Sequence, residues 1–342
     1  MVAASHILLS FVTDSFPDGS TTISPSQIEW HPGPTVPPYF RAIPRRPARK
    51  TLIVACLLFL LTLCTCLVAG TQFAVAYAHN EAVSFDEFVH AFTLIYRHPF
   101  ALASGLPFAI TLLAILLTHE LAHFFACRHH QIHSSYPFFI PFPSLIGTLG
   151  AFILIRSPIR TTRALFDVGA SGPLAGFVVA VPALIFGVLH AKFVPGIADP
   201  SHASVVLGTP LILHLLAGIL HPGIGAGNLL LHPVGRAAWV GLFATSLNLL
   251  PAAQLDGGHI LRSLSPRIHR YFSLALPLIL LFLGYRFWPG WYIWGVLLLG
   301  IRFFRFLPIY DSVSLDSARR FAALLTLLVF VLCFMPSPFA EH

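Results

Sequence analysis

The chain has 342 residues, of which 56% are hydrophobic and only 10% are charged, and its mean hydropathy is +0.80. Soluble domains carry about 25% charged residues, so this composition excludes an ordinary soluble domain. We therefore predict an all-α polytopic membrane protein with six or seven transmembrane helices in a lipid bilayer.

Uncharged apolar runs long enough to cross a bilayer, which takes roughly 20 residues, recur along the chain. They cover residues 51–78, 99–118, 168–189, 237–255 and 321–340. Two shorter runs, 271–285 and 287–301, flank Arg286 and predict a hairpin of short helices. The run 203–220 is a weaker, interfacial candidate.

The basic residues are distributed unevenly around these runs. With residue 1 placed in the cytoplasm, sixteen of the 20 Lys and Arg residues fall on the cytoplasmic side and four on the other. This asymmetry follows the positive-inside rule and accounts for the net charge of +7, so we expect no nucleic-acid partner. Since no organelle-targeting feature is evident, we expect a multi-pass protein of a bacterial cytoplasmic membrane.

Acidic residues are rare in the apolar runs, and Glu120, Asp167 and Asp256 are those in or beside them. A carboxylate at membrane depth costs on the order of 3 kcal/mol and is retained mainly where it serves a site. Asp167 follows Arg163 by four residues at a helix start, where a surface ion pair or a helix-end charge is expected. Glu120 and Asp256 are therefore the candidates for chemistry.

Glu120 belongs to an H-E-x-x-H sequence within the apolar stretch "ILLTHELAHFFAC". On a helix, His119 and His123 share one face about 6 Å apart along the axis, so both imidazoles can bind one zinc ion. Glu120 lies about 100° around the axis, where it can reach a water molecule beside the metal. We predict His119 and His123 as metal ligands and Glu120 as a catalytic residue.

A catalytic zinc site usually has three protein ligands, and two candidates for the third can be set against Asp256. A downstream glutamate is excluded, because Glu341 in the terminal tail is the one glutamate after Glu120. His129 nearly completes H-E-x-x-H-x-x-G-x-x-H, but Ala126 stands where that motif uses glycine to turn the chain. His129 is therefore expected at the membrane surface.

Asp256 is the third candidate. It follows Asn248 and Pro251, which interrupt an apolar run, and it precedes Gly257. Because proline disfavours a continuous helix, we expect the carboxylate on a locally unwound turn. Broken helices at membrane depth are tolerated where they line a polar cavity.

An H-E-x-x-H sequence in one run and N-x-x-P-x-x-x-x-D-G in a later one resemble the site-2 protease family of intramembrane zinc metalloproteases. The resemblance covers approximately residues 99–265. The matching positions are His119, Glu120, His123, Asn248, Pro251, Asp256 and Gly257.

The resemblance implies a role for each of these polar side chains. His119, His123 and Asp256 would bind one Zn²⁺ ion per chain, and Glu120 would be the catalytic base. Asn248 would be a catalytic residue that holds the substrate or the developing oxyanion.

The family also has a membrane re-entrant β-loop after the H-E-x-x-H helix, and residues 141–158 resemble it. They contain Gly147 and Gly150, followed by the β-prone run "AFILIR". An edge strand here could pair with an unwound substrate; an ordinary loop with an interfacial strand is the alternative.

Two further features are weaker signals. The G-x-x-x-G sequence at Gly172 and Gly176 predicts close helix packing. His259 could support a metal site through contacts to its ligands or could lie at the surface.

The resemblance implies an intramembrane zinc endopeptidase that cleaves single-pass membrane proteins, with water entering from the cytoplasm. The alternative is a zinc-binding membrane transporter or non-catalytic scaffold with the same ligands. Among enzymes, a CAAX-processing membrane zincin is the nearest rival, and the missing downstream glutamate disfavours it.

Four regions are predicted. Residues 1–50, with eight prolines and a basic end, form a disordered cytoplasmic tail. Residues 51–98 form the first transmembrane helix and an external loop, 99–265 the catalytic membrane core, and 266–342 the C-terminal transmembrane helices. The loop 190–235 is too short for an inserted globular peptide-binding domain.

Overall fold

The computed structural model describes residues 49–82, 93, 95–197, 206–301 and 314–340. The predicted tail, up to residue 48, lies outside the described residues. Within them the chain is mostly helical. The helices are α1 (Arg49–His79), α2 (Leu106–His129), α3 (Thr162–Leu189), α4 (Leu211–Leu220), α5 (Pro233–Asn248), α6 (Asp256–Leu264), α7 (Pro266–Arg286), α8 (Gly290–Ile301) and α9 (Ser317–Cys333).

Four helical segments among the described residues are long and apolar enough to cross a membrane. They are Arg49–His79, Pro99–His129, Thr162–Leu189 and Pro266–Arg286, where the second joins a 3-10 helix, Pro99–Gly105, to α2. The chain is therefore a multi-pass membrane protein.

The predicted spans 237–255 and 321–340 correspond to shorter helices. These are α5, with 16 residues, and α9, with 17 residues. Helix α5 ends at Asn248, three residues before Pro251, because proline cannot continue the backbone hydrogen-bond ladder. The total of six or seven spans stays a prediction.

The centre of the protein is helix α3, which packs against α2, α5, α6 and α9. Its interior side chains are almost completely buried against these neighbours: Ala180, Leu184 and Val188 have no exposed surface. Lipid is as apolar as these side chains, so close packing, rather than exclusion from water, holds such helices together.

A β-hairpin follows α2 at the position where the re-entrant loop was predicted. Strands β1 (Phe138–Pro141) and β2 (Thr148–Phe152) are antiparallel, with Phe138 opposite Phe152. Strand β2 begins three residues before the predicted "AFILIR" run and ends inside it. The hairpin tip lies on α1, where the Thr65 hydroxyl donates to the Gly147 carbonyl at 2.6 Å. Its entry into the membrane stays a prediction.

Asp167, near the start of α3, is held by two partners distant in sequence. The Arg319 guanidinium donates to both of its carboxylate oxygens, at 2.8 and 2.6 Å, and His130 lies 2.7 Å away. The neighbouring basic residue Arg163, expected as its partner, is not among these contacts. A bidentate pair is strong, so it ties α9 to the ends of α2 and α3.

Short strands lie at the other end of the helices. Strand β3 (Lys192–Phe193) pairs with β5 (Leu229–Leu230), and β4 (Val206–Leu207) pairs with β6 (Phe339–Ala340), both antiparallel. A 3-10 helix, Ala226–Asn228, precedes β5.

His232 caps the start of α5 at this end. Its Nδ1 accepts a hydrogen bond from the Val234 N–H at 3.3 Å, which satisfies one of the unpaired donors of the first turn. Burial, and then the nearby His190, hold the pKa of His232 below its ordinary value. Only the neutral imidazole can accept this bond, so protonation removes the cap.

We predict that replacing His232 by Asn makes the stability of the protein less dependent on pH. Because the folded pKa of His232 is lowered, its contribution is present above the ordinary pKa of about 6.5 and is lost as the pH falls towards the folded value. Thermal unfolding in detergent, measured between about pH 7.5 and 5.5, should show a smaller fall for His232→Asn, whose side chain also caps, than for wild type. An equal fall in both proteins would contradict this assignment.

Candidate metal centre

Two imidazoles of α2 lie side by side in the protein interior. His119 and His123 are one helical turn apart, their ring centroids are 4.8 Å apart, and both are at least 95% buried. A single helix thus presents two nitrogen ligands in one direction, as the spacing in the sequence predicts.

A carboxylate from a distant part of the chain meets these rings. One oxygen of Asp256, Oδ2, lies 3.2 Å from His119 Nε2 and 3.3 Å from His123 Nε2. The carboxylate was expected on a locally unwound turn, but Asp256 is instead the first residue of α6. The unwound segment is the loop 249–255 before it.

The loop 249–255 wraps tightly around the start of α6. Its carbonyl groups approach the α-carbons of the two glycines after Asp256 so closely that a side chain at Gly257 would overlap Leu249 O. A β-carbon on Gly258 would lie 2.5 Å from Ala253 O. The two glycines therefore allow the loop to place the carboxylate beside α2.

The three side chains form a donor set that suits zinc. One ligand atom from each of His119, His123 and Asp256 can be chosen so that all lie within 4.8 Å of one another, and this is the one such group among the described residues. Two imidazoles and a carboxylate are ligands that zinc accepts.

The orientation of His123 is set by the backbone of α3. Its Nδ1 donates to the carbonyl oxygen of Val168 at 2.6 Å. Because Nδ1 carries the proton, the lone pair of Nε2 is directed to the shared site, the arrangement that metal-binding histidines usually adopt. The residues therefore fit a zinc ion.

The predicted catalytic side chains lie at the same place. Glu120 is 6% exposed and Asn248 is 7% exposed, and both line the cleft that contains the three candidate ligands. Asn248 Nδ2 lies 3.4 Å from His119 Nε2. The cleft thus holds a potential base and an amide donor beside the donor set.

Apolar side chains also line the cleft. They include Phe152 of β2, and Ile153 and Ile155 beyond it. The end of the β-hairpin therefore reaches the cleft that contains the candidate ligands.

The other two histidines considered in the sequence, His129 and His259, lie in different places. His129 is exposed near the end of α2 and is outside the donor set. His259, one turn after Asp256, lines the cleft, and its Nδ1 is enclosed without a hydrogen-bond partner among the described residues. Burial lowers the pKa of His259 to about 4, so this side chain is neutral near pH 7.

The glycines of α3 lie directly against the candidate ligands. A β-carbon on Gly172 would overlap the His123 ring and lie 2.6 Å from its Cδ2, and one on Gly176 would lie 3.2 Å from His119 Nδ1. The predicted packing role is thus specific, because these glycines make room for the two imidazoles. Sequence reasoning missed this contact and the Val168 carbonyl, since backbone acceptors leave no signature in the sequence.

Comparison with known proteins gives a consistent result. The sequence model for Peptidase family M50 matches residues 107–284, just over half of the chain. The proteins named "Probable zinc metalloprotease EGY1, chloroplastic" from Oryza sativa subsp. japonica and Arabidopsis thaliana are 32% and 31% identical, over 61% and 60% of this chain and 37% and 38% of their own lengths. "Probable zinc metalloprotease EGY2, chloroplastic" from Arabidopsis thaliana is 29% identical over 70% of this chain and 43% of its own length.

The chain spans about two fifths of the length of these relatives. Their names place them in chloroplasts, so the expectation of a bacterial membrane receives no support from them. No solved structure matches the chain.

We predict that Gly172→Ala displaces His123 and weakens zinc binding by about tenfold or more, since the added methyl group occupies space that the imidazole fills. Chelator competition on the purified protein measures the zinc affinity. Gly218→Ala in α4, where a β-carbon meets nothing within 4 Å, is the matched control and should bind zinc as wild type does. Unchanged zinc binding by Gly172→Ala would show that this contact does not position the ligand.

Proposed function

The chain belongs to peptidase family M50, the site-2 protease family, and on this basis we propose that it is an intramembrane zinc metalloendopeptidase. The observation that carries the proposal is the meeting of two α2 imidazoles and the α6 carboxylate beside Glu120, in a cleft of a multi-pass membrane protein. Buried ionisable groups among membrane-spanning helices are expensive and mark functional sites.

His119, His123 and Asp256 would hold one zinc ion. Bound zinc supplies Lewis acidity and makes water a nucleophile near neutral pH. Glu120 would accept the proton of the attacking water and return it to the leaving amine. The Asn248 amide, which already points a donor nitrogen towards His119, would donate a hydrogen bond to the developing oxyanion.

The proposed substrates are single-pass membrane proteins cut within their transmembrane segments. A helix hides its peptide bonds in internal hydrogen bonds, so the substrate must unwind before cleavage. Strand β2 pairs with β1 among the described strands, and Phe152 at its end lines the cleft. An unwound segment would therefore add along the edge of β2 that pairs with no other described strand, and water would enter where α2 ends, on the side predicted to be cytoplasmic.

The test uses the purified full chain in lipid vesicles with a single-pass substrate that contains helix-breaking residues. Glu120→Gln should lower the cleavage rate roughly 100-fold or more and still bind zinc, because the base is not a ligand. Asp256→Ala should lose both zinc and cleavage, whereas His129→Ala should keep both.

Two outcomes would favour other interpretations. Stoichiometric zinc without any cleavage that depends on Glu120 would favour a zinc-binding transporter or a non-catalytic scaffold. Loss of zinc in His129→Ala, with zinc retained in Asp256→Ala, would overturn the ligand assignment.

A further inference from the structure

Both backbone polar groups of one residue in the loop 249–255 are bound by side chains of helix α7. The Ala253 N–H donates to Ser273 Oγ at 3.2 Å, and His269 Nε2 donates to the Ala253 carbonyl at 3.2 Å. His269 and Ser273 are one helical turn apart, and His269 Nε2 and Ser273 Oγ are 3.3 Å from each other. Two side chains of one helix thus bind the donor and the acceptor of a single residue.

The residue that they hold has a conformation that needs support. Ala253 has a φ of 52°, in the left-handed region where a β-carbon is unfavourable. Ala253 is 6% exposed and His269 is 5% exposed, so water cannot readily replace either hydrogen bond. The contacts from α7 therefore stabilise a turn that the local sequence does not favour.

This turn determines where helix α6 begins, and so where its first residue, Asp256, lies. Ala253 lies three residues before Asp256, and its carbonyl oxygen, which accepts from His269, also faces Gly258 in the first turn of α6. A shift of the Ala253 backbone would therefore move the start of α6, and Asp256 lies only 3.2 Å from His119. Helix α7 contributes no residue to the donor set, yet it holds the loop that leads directly into Asp256.

We propose that His269 and Ser273 are positioning residues of the metal centre, which act on Asp256 through the backbone of Ala253. This inference rests on the proposed function, in which Asp256 is a zinc ligand. Helix α7 has one face on the loop and another that is exposed. His269 and Ser273 contact the loop, whereas Tyr271, which lies between them in the sequence, is 71% exposed.

The test measures the zinc affinity of the purified full chain in detergent by competition with a chromophoric chelator. His269→Ala and Ser273→Ala should each weaken zinc binding by about tenfold, because either change removes one of the two hydrogen bonds that hold the Ala253 backbone. His269→Gln keeps a donor for the carbonyl and should restore most of the affinity. Tyr271→Ala, on the exposed face of the same helix, is the matched control and should bind zinc as wild type does.

A second measurement separates positioning from general weakening of the fold. The background for this measurement is Asp256→Asn, whose amide oxygen is a weaker ligand than the carboxylate but leaves a zinc affinity that can be measured. If His269 acts through residue 256, His269→Ala should weaken zinc binding less in this background than in wild type, so the double-mutant cycle should show a coupling of several-fold. An equal loss of affinity in both backgrounds would overturn the proposal. Thermal unfolding of the metal-free variants shows whether each protein is folded.

The outcomes also distinguish this inference from the proposed function. Equal zinc affinity of wild type and Asp256→Ala would overturn the ligand set and this inference together. Loss of zinc in Asp256→Ala, with wild-type affinity in both His269→Ala and Ser273→Ala, would overturn this inference alone.

Discussion

The structure depends on the contact between one carboxylate and two imidazoles that are all buried in the protein interior. A charged group moved from water into such surroundings loses several kcal/mol of solvation, and only close partners restore it. Asp256 has these partners because α2 and α6 meet at His119 and His123. A helix that carried Asp256 without this meeting would be unstable in lipid, so the fold and the donor set are not separable.

Helix α3 packs against the two imidazoles and so allows them to contact Asp256. Its glycines leave space for the imidazoles, and its Val168 carbonyl fixes the proton of His123. One residue before Val168, Asp167 is bound to Arg319 and His130. Asp167, which was expected to form a surface ion pair or to act as a helix-end charge, therefore anchors the helix whose backbone orients a candidate ligand.

The fold and the site were predictable to different extents. The family assignment is confirmed. The pairing of His119 and His123 could be predicted because helical spacing is a local feature, whereas Asp256 was one of several candidates for the third ligand until the resemblance to the family implied it. The partner of Asp167 could not be predicted, since Arg319 is 152 residues away and surface charges have many possible partners. Helix lengths at α5 and the strand boundary at β2 also differed from expectation, because apolar composition alone marks neither where a helix ends nor where pairing begins.

The loop 249–255, which separates α5 from α6, explains why α7 contacts the chain beside the metal centre. Where a helix stops inside a membrane protein, its backbone donors and acceptors need partners, and each one left unsatisfied costs about 2 kcal/mol or more. Part of the loop 249–255 bonds to itself, as in the Ala252 N–H to Leu250 O contact of 2.8 Å. At Ala253 the partners come from His269 and Ser273 instead. The side chains that make the break tolerable are thus the same ones that hold the following carboxylate in place, so a membrane protein can satisfy its backbone and orient a ligand with one set of contacts.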